Sequence, residues 1–260
     1  MASVEVFRLN LNTKKVERVE RYIAEEKPLH LFIGGTHYAT IFCTPATLKE
    51  FVVGHLLSEG IVKKIDEIRE ISFDGDSCYV TLTPTVNIKA RLRLAPSFSR
   101  VILSACGGLG GYNFFKRIKR IESKAKVRAE VILECIKDLN LLSEMYKRTR
   151  GVHAAMISDI DKKVFTLAED AGRHNAVDKV IGAWALKRLD FENCVLVLSG
   201  RLTGDIVYKA AIMGVPIVAS LAAALNSGVE IAKKANITLI GLVRGEGMTI
   251  YSAPERVLFP

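Results

Sequence analysis

The chain holds no C-x-x-C pair, no uninterrupted apolar run of bilayer length, and no basic segment leading into an apolar one near its start. Each absence closes off a class. Paired-thiol zinc sites need closely spaced cysteines, whereas Cys43, Cys78, Cys106, Cys135 and Cys194 are scattered, so no structural metal is expected. Their odd number and wide spacing over 260 residues also argue against a disulfide framework. Without a long apolar run there is no transmembrane helix. The first ten residues alternate Val4, Val6 and Leu9 with polar side chains and do not read as a secretory signal. The expectation is a cytoplasmic protein with no membrane partner.

What is present is a hydrophobic fraction of 49% with 25% charged residues, the balance of a globular protein long enough for two domains. The formal net charge of +9 implies attraction to polyanions, whether nucleic acid, a phosphorylated cofactor or an acidic partner. Seven of the basic residues (Lys116, Arg117, Lys119, Arg120, Lys124, Lys126 and Arg128) fall in one short segment, which reads equally well as a solvated helix face. That run lacks interleaved aromatics for base stacking, which argues against nucleic acid.

The first half reads as strands with one helix. Residues 29–33 and 37–43 flank Gly34-Gly35-Thr36 and predict a hairpin. Thr44-Pro45 then predicts a helix N-terminus, with Leu48, Phe51, Val52 and Leu56 on one face and an end near Gly60. Alternation from Ile71 to Leu94 predicts a meander of short strands. The glycines at 107, 108, 110 and 111 make residues 104–111 a loop. The second half predicts helices over 131–142, 174–187, 205–213 and 226–235, and strands over 152–157, 163–167, 194–198, 215–220 and 237–243. The expected architecture is α/β: a strand-rich α+β N-terminal domain over 1–128, ending in the Cys106 loop and the basic segment, and an α/β domain over 129–260 with a sheet covered on both faces.

Chemistry concentrates where strands give way to helices. Glu169-Asp170-Ala171-Gly172-Arg173-His174-Asn175 precedes an apolar helix, whose first N–H groups and dipole favour an anion. Two further polar junctions are 199–205 and 244–247. Arg173, Arg201 and Arg244 offer guanidinium forks suited to pyrophosphate. Simpler readings stand beside these: Ser199-Gly200-Arg201 as an ordinary turn, His174 and Asp178 as an i,i+4 pair, Glu169-Asp170 as capping residues, and His153 as a satisfied core histidine. Cys106 differs from the other cysteines, which sit in apolar periodic segments. Its glycine loop beside a cationic stretch favours a lowered thiol pKa and access, the setting of a reactive cysteine.

Together, Pro28 to Gly35, Thr44-Pro45 through Ser58-Glu59-Gly60, Ser104 to Gly110, Gly151 to Ala155, Gly172-Arg173-His174-Asn175-Ala176-Val177-Asp178-Lys179, Ser199-Gly200-Arg201 and Gly241 to Tyr251 resemble the FdhD family of formate dehydrogenase accessory proteins. The resemblance implies a sulfur carrier that takes persulfide sulfur from a cysteine desulfurase and passes it to the molybdenum bis(molybdopterin guanine dinucleotide) cofactor before its insertion into formate dehydrogenase. It makes Cys106 the sulfur-bearing residue, and the protein a sulfurtransferase-type carrier if that persulfide forms. The family's cofactor contact maps to Leu242, Val243, Arg244, Gly245, Glu246 and Gly247, to which the residue reading adds Arg173, His174 and Arg201. The resemblance further implies a second domain similar to the cytidine deaminase fold, and a homodimer. Two departures stand out: Leu109 occupies the place of the family's second loop cysteine, and Ala222-Ala223-Ala224-Leu225-Asn226 replaces a run rich in hydroxyls. An alternative is therefore a chaperone that binds the guanine dinucleotide cofactor without transferring sulfur. A zinc nucleoside deaminase is excluded, because no catalytic glutamate follows His153 or His174 and no P-C-x-x-C pair exists.

Overall fold

The computed structural model describes residues 1–88, 91, 100–102 and 118–259. The Cys106 loop at 104–111, with Lys116 and Arg117, lies outside the described residues. The chain opens with an antiparallel ribbon of β1 (Ala2–Asn10) and β2 (Lys15–Ile23), which forms a two-stranded sheet by itself. The predicted hairpin follows as β3 (Lys27–Ile33) and β4 (Thr36–Cys43). Gly34 and Gly35 both take positive φ, +57° and +79°, which a two-residue hairpin turn matching strand twist requires. After helix α1 (Leu48–Ser58), strands β5 (Ile68–Asp74), β6 (Ser77–Leu82) and β7 (Arg100–Ile102) complete a sheet of order β5-β6-β3-β4-β7.

Two expectations in this half are corrected. Thr44 does not cap α1: the helix starts at Leu48 after Thr47, at φ 50°, and Thr44 is committed to another contact described below. The alternation yields one hairpin, β5–β6, and is interrupted at Pro84, where the chain turns with Val86 N–H bonded to Thr83 O; residues 89, 90 and 92–94 of the expected meander lie outside the described residues.

The second half places β8 (Val127–Arg128), α2 (Ala129–Leu142) and α3 (Glu144–Thr149) ahead of β9 (His153–Asp159) and β10 (Phe165–Asp170). Then come α4 (Arg173–Leu186), β11 (Cys194–Leu198), α5 (Gly204–Met213), β12 (Ile217–Ser220), α6 (Asn226–Ala235), β13 (Thr238–Arg244), β14 (Gly247–Ser252) and β15 (Val257–Leu258). The main sheet has the order β10-β9-β11-β12-β13-β14, with β11, β12 and β13 parallel and the other pairings antiparallel. Strand alternation divides the core: Ala155, Ile157, Leu196, Leu198, Val218 and Leu239 face α4, α5 and α6, while Ala154, Met156, Val195, Val197, Ile217 and Ile240 face α2. Both faces are covered, as expected of such apolar strands.

The basic stretch is not a helix. Lys119, Arg120, Lys124, Lys126 and Arg128 are exposed while Ile121, Ala125 and Val127 are buried, so an irregular segment lays its small apolar residues on the core and keeps its cations in water.

Helices α1 and α4 meet backbone to backbone. A Cβ on Gly54 would lie 1.7 Å from the Asp178 carbonyl oxygen, and one on Gly182 would lie 1.8 Å from that of Glu50. Only glycine at both places permits this crossing. Through it one apolar core runs from Leu29 and Phe51 to Leu196 and Leu239.

Candidate functional site

The sheet brings the predicted junctions to one end. β10, β11, β12 and β13 finish there, and β9 begins there, with His153 opposite Asp170 and Ala155 opposite Leu198. Helix α4 starts at the same end, with Gly172 at its N-cap and Arg173 as its first residue, as the sequence predicts.

Most polar side chains of the α4 motif fasten the helix to its neighbours. Asp170 is wholly buried and accepts from Thr44 N–H (3.0 Å), Gly172 N–H (2.8 Å), Asn175 Nδ2 (3.0 Å) and Lys179 Nζ (2.7 Å). Burial still holds its carboxyl above the usual range, with Lys179 pulling the other way. Lys179 also donates to Thr44 O, Asn175 to Phe42 O, and Thr44 Oγ1 accepts from Ala171 N–H, so the end of β4 is sewn to the start of α4. Glu169 caps α3, accepting from the Met145 and Tyr146 amides. The capping expectation for Glu169-Asp170 at α4 is not met: Glu169 caps a different helix, and Asp170 bonds the Gly172 N–H ahead of the first turn.

One turn further along α4 lies a second buried network. Asp178 accepts from Ser58 Oγ (2.6 Å), His55 Nδ1 (3.1 Å) and Lys209 Nζ (2.9 and 3.1 Å), and Lys209 also reaches Glu59 at 2.7 Å. Burial pushes the Asp178 carboxyl up, but Lys209, His55 and Ser58 outweigh it and bring it to about 2. The network ties α1, α4 and α5 together. His174 and Asp178 are therefore not partners.

His174 instead turns to α5. Its Nε2 lies 2.7 Å from Asp205 Oδ2, and Thr203 donates to the other oxygen of that carboxylate. Burial would raise the Asp205 carboxyl, yet His174 and Thr203 hold it well below its ordinary value. His174 Nδ1 is buried without a hydrogen-bond partner among the described residues. Arg173 lies flat on Gly200, where a Cβ would come within 3.1 Å of the arginine Cβ and 3.3 Å of its Cδ. Glycine thus lets the Arg173 stem run beside the turn that carries Arg201. His153, read as a core histidine, is instead half-buried at the edge of a cleft of about 440 Å³ lined also by Tyr146, Arg150, Ala171, Ser199 and Leu221. Burial, then the nearby Arg173, His174 and Arg201, lower its pKa below the ordinary imidazole value.

Arg244 stands farther along the same sheet end, in the turn between β13 and β14. The junctions are nevertheless joined by backbone. Leu202 N–H bonds to Ala223 O, Leu225 N–H to Leu202 O and Leu242 N–H to Ala222 O. The Ala222-Ala223-Ala224 stretch is thus the strip connecting the Arg201 turn to Leu242–Gly247. Leu242 takes φ +54° and is exposed, whereas Val243 is fully buried beneath the strand and presents no side chain to a ligand.

A model of the FdhD/NarQ family matches residues 24–258. The sulfur carrier protein FdhD of Sulfurisphaera tokodaii is 35% identical over 260 residues, covering 98% of each chain, and that of Staphylococcus haemolyticus is 34% identical over 245 residues, covering 93% of this chain and 91% of its own. The chain belongs to the FdhD/NarQ family. A solved structure from Desulfotalea psychrophila, described as a formate dehydrogenase accessory protein, shares the fold with a TM-score of 0.80 at 24% identity, over 99% of both chains.

For an FdhD-family protein the thiols matter most. Cys43, Cys78, Cys135 and Cys194 are free and buried. Burial pushes the first two up to about 12 and Cys135 to about 11, and raises Cys194 as well. All four are the small hydrophobes that their apolar surroundings in the sequence predict. The sequence did not reveal the network of His55, Ser58, Glu59 and Lys209, and Thr203 and Asp205 stood out only as members of the polar junction 199–205, without the His174 partner. Lys209 did carry a signal, being a lone cation among Ile206, Val207, Tyr208, Ala210 and Ala211 on one apolar helix. No described helix is long and apolar enough to cross a membrane.

Proposed function

We propose that this FdhD-family chain is a sulfur carrier in the maturation of formate dehydrogenase, with Cys106 bearing the sulfur. The Cys106 thiolate would attack the outer sulfur of a persulfide on a cysteine desulfurase. One S–S bond forms, the donor's S–S bond breaks, and the donor leaves as a thiolate. The substrate that receives the sulfur is the molybdenum bis(molybdopterin guanine dinucleotide) cofactor. Its phosphates would sit at the α4 end of the sheet against Arg173, Arg201 and His174, with Leu242, Arg244, Gly245, Glu246 and Gly247 on the far side of the alanine strip. Three features of that end support the reading: the N-terminus of α4, the arginines Arg173, whose stem packs on Gly200, and Arg201, which follows Gly200 in the chain, and the buried His174 held by Asp205. The same reading places the protein in the cytoplasm as a homodimer. It also relates the strand order β10-β9-β11-β12-β13 to the cytidine deaminase arrangement.

The observation that carries the reading is elimination among five thiols. Four are buried with raised pKa and cannot supply a thiolate near neutral pH, which leaves Cys106. Incubation with a cysteine desulfurase and cysteine, followed by intact-mass and peptide analysis, should show one added sulfur on the Cys106 peptide and none on the Cys106→Ala variant. Sulfur that persists on that variant, or none on the wild type, would overturn the reading. The second outcome would favour the non-transferring chaperone, for which Leu109 in place of a second loop cysteine already speaks.

A further inference from the structure

The β1–β2 ribbon divides into a held base and a free tip. Its strands pair only with each other among the described strands, and a two-stranded ribbon is marginal in water without a packing face. Near the base, Val4, Val6 and Val19 share one face and are half-buried, Tyr22 lies under the Arg148 guanidinium, and Ala24 meets Gly151. The other face is bare toward the turn: Phe7 is 69% exposed, Leu9 59%, Val16 62%, and Leu11 in the turn itself 80%. Cations stand about this apolar tip. Between residues 7 and 18 lie Arg8, Lys14, Lys15 and Arg18 against the carboxylate of Glu17, which sits opposite Arg8. Arg18 crosses the Phe7 ring at 5.4 Å toward Glu5. With Arg21, Glu5 and Glu20 nearer the base, the whole ribbon is cationic. Its turn is also suited to leaving bulk water, because Asn10 Oδ1 accepts from the Asn12 and Thr13 amides at 3.0 and 3.1 Å.

We propose that this tip seats on the surface of an anionic phospholipid bilayer. Exposed apolar side chains with cations about them complement such a surface, whose headgroups are negative and whose hydrocarbon begins just beneath. The unpaired outer edges of β1 and β2 stay at headgroup depth, where water still reaches them. A second basic strip, Lys119, Arg120, Lys124, Lys126 and Arg128, keeps Ile121, Ala125 and Val127 buried, so it can attract an anionic surface but has nothing to insert. The expectation of no membrane partner rested on the lack of a spanning run, which seating at a surface does not need.

The test is co-sedimentation of the full chain with vesicles of phosphatidylcholine carrying about one-third phosphatidylglycerol. The wild type should bind them, and should bind phosphatidylcholine alone at least about tenfold more weakly. Leu9→Glu/Leu11→Glu should weaken binding by about tenfold or more with the thermal melt of the body unchanged, and Lys14→Gln/Lys15→Gln by about threefold or more. Lys124→Gln/Lys126→Gln should bind as the wild type does. Trp184 is the chain's one tryptophan and is buried, so Leu11→Trp supplies a reporter whose emission should shift to the blue on anionic vesicles. A wild type left in the supernatant, equal binding to both kinds of vesicle, binding unchanged by the tip variant or lost with Lys124 and Lys126, or an unshifted Leu11→Trp emission would overturn the proposal. A tip that buries itself against another protein instead gives the first of these results.

Discussion

Replacing Gly182 by alanine sets two effects of opposite sign against each other. In a free helix the change is favourable by about 1 kcal/mol, since alanine lowers the entropy cost of helix formation. At this crossing the new methyl would lie 1.8 Å from the Glu50 carbonyl oxygen and 2.8 Å from Gly54 N, about 1.5 Å inside ordinary contact for the closer atom. Both obstacles are backbone, so relief requires the helices to part. Overpacking of well-filled cores costs about 1–3 kcal/mol, occasionally more, and rigid backbone on both sides puts this case at the top of that range. Parting the helices also stretches the His55–Asp178 and Ser58–Asp178 bonds that span the same joint. The expected net loss is at least about 2 kcal/mol, read as a lower urea midpoint with an unchanged slope. Gly54→Ala should behave alike, and the double variant should lose less than the two losses added, because helices already parted accommodate a second methyl. A Gly182→Ala protein as stable as wild type, or more so, would refute the crossing.

Three further outcomes follow from the buried groups. Lys209→Met strands Asp178 and Glu59 without their shared cation, and should cost about 3–5 kcal/mol by urea unfolding; an unchanged midpoint would contradict the network. The folded-state pKa of Asp178 lies below its unfolded value of 3.8, so its stabilising contribution is present above about pH 4 and is lost as pH falls toward 2. That loss is on the order of 2 kcal/mol, and a pH series of unfolding curves should show it in the wild type and not in Asp178→Asn. Finally, alkylation at pH 7.5 should label Cys106 alone in the native protein and all five cysteines in denaturant; native labelling of Cys43, Cys78, Cys135 or Cys194 would contradict their burial.

The order of elements in the second half was legible because periodicity and burial agree there: Cys194 to Leu198 reads as an apolar strand and is buried at every position. The start of α4 was legible too, since glycine followed by three polar residues and an apolar run has few other meanings. Thr44-Pro45 misled because the same residue types that cap helices also bind distant backbone, and the distance from Thr44 to Asp170 is 126 residues of chain, beyond any local pattern. The meander misled because alternation survives in sequence past Pro84, which interrupts the pairing. Arg173 and His174 at the start of α4 and Arg201 beside Gly200 come to one sheet end, as the order of junctions predicts, while the pairing of Asp205 with His174 was not legible: its meaning lies in a partner on another helix.

The composition of the α4 motif has a physical consequence for function. Among its charged and amide side chains, His174, Asn175, Asp178 and Lys179 are buried and fasten α4 to β4, α1 and α5, while Arg173, the first residue of the helix, is half-buried beside Gly200. A phosphate-binding helix end works only if its N–H groups and guanidinium donors hold their positions when a charged ligand arrives, since a mobile cradle loses in ordering entropy what it gains in attraction. The buried fasteners supply that rigidity within two turns of the proposed phosphate surface. Substitutions at Asp178 or Lys209 should therefore weaken guanine-nucleotide binding as well as stability, whereas Arg201→Ala should weaken binding and leave unfolding nearly unchanged. Calorimetric titration with GDP, set beside urea curves for both kinds of variant, distinguishes them. A fully stable Arg201→Ala protein that binds GDP as the wild type does would remove the phosphate surface from this end of the sheet.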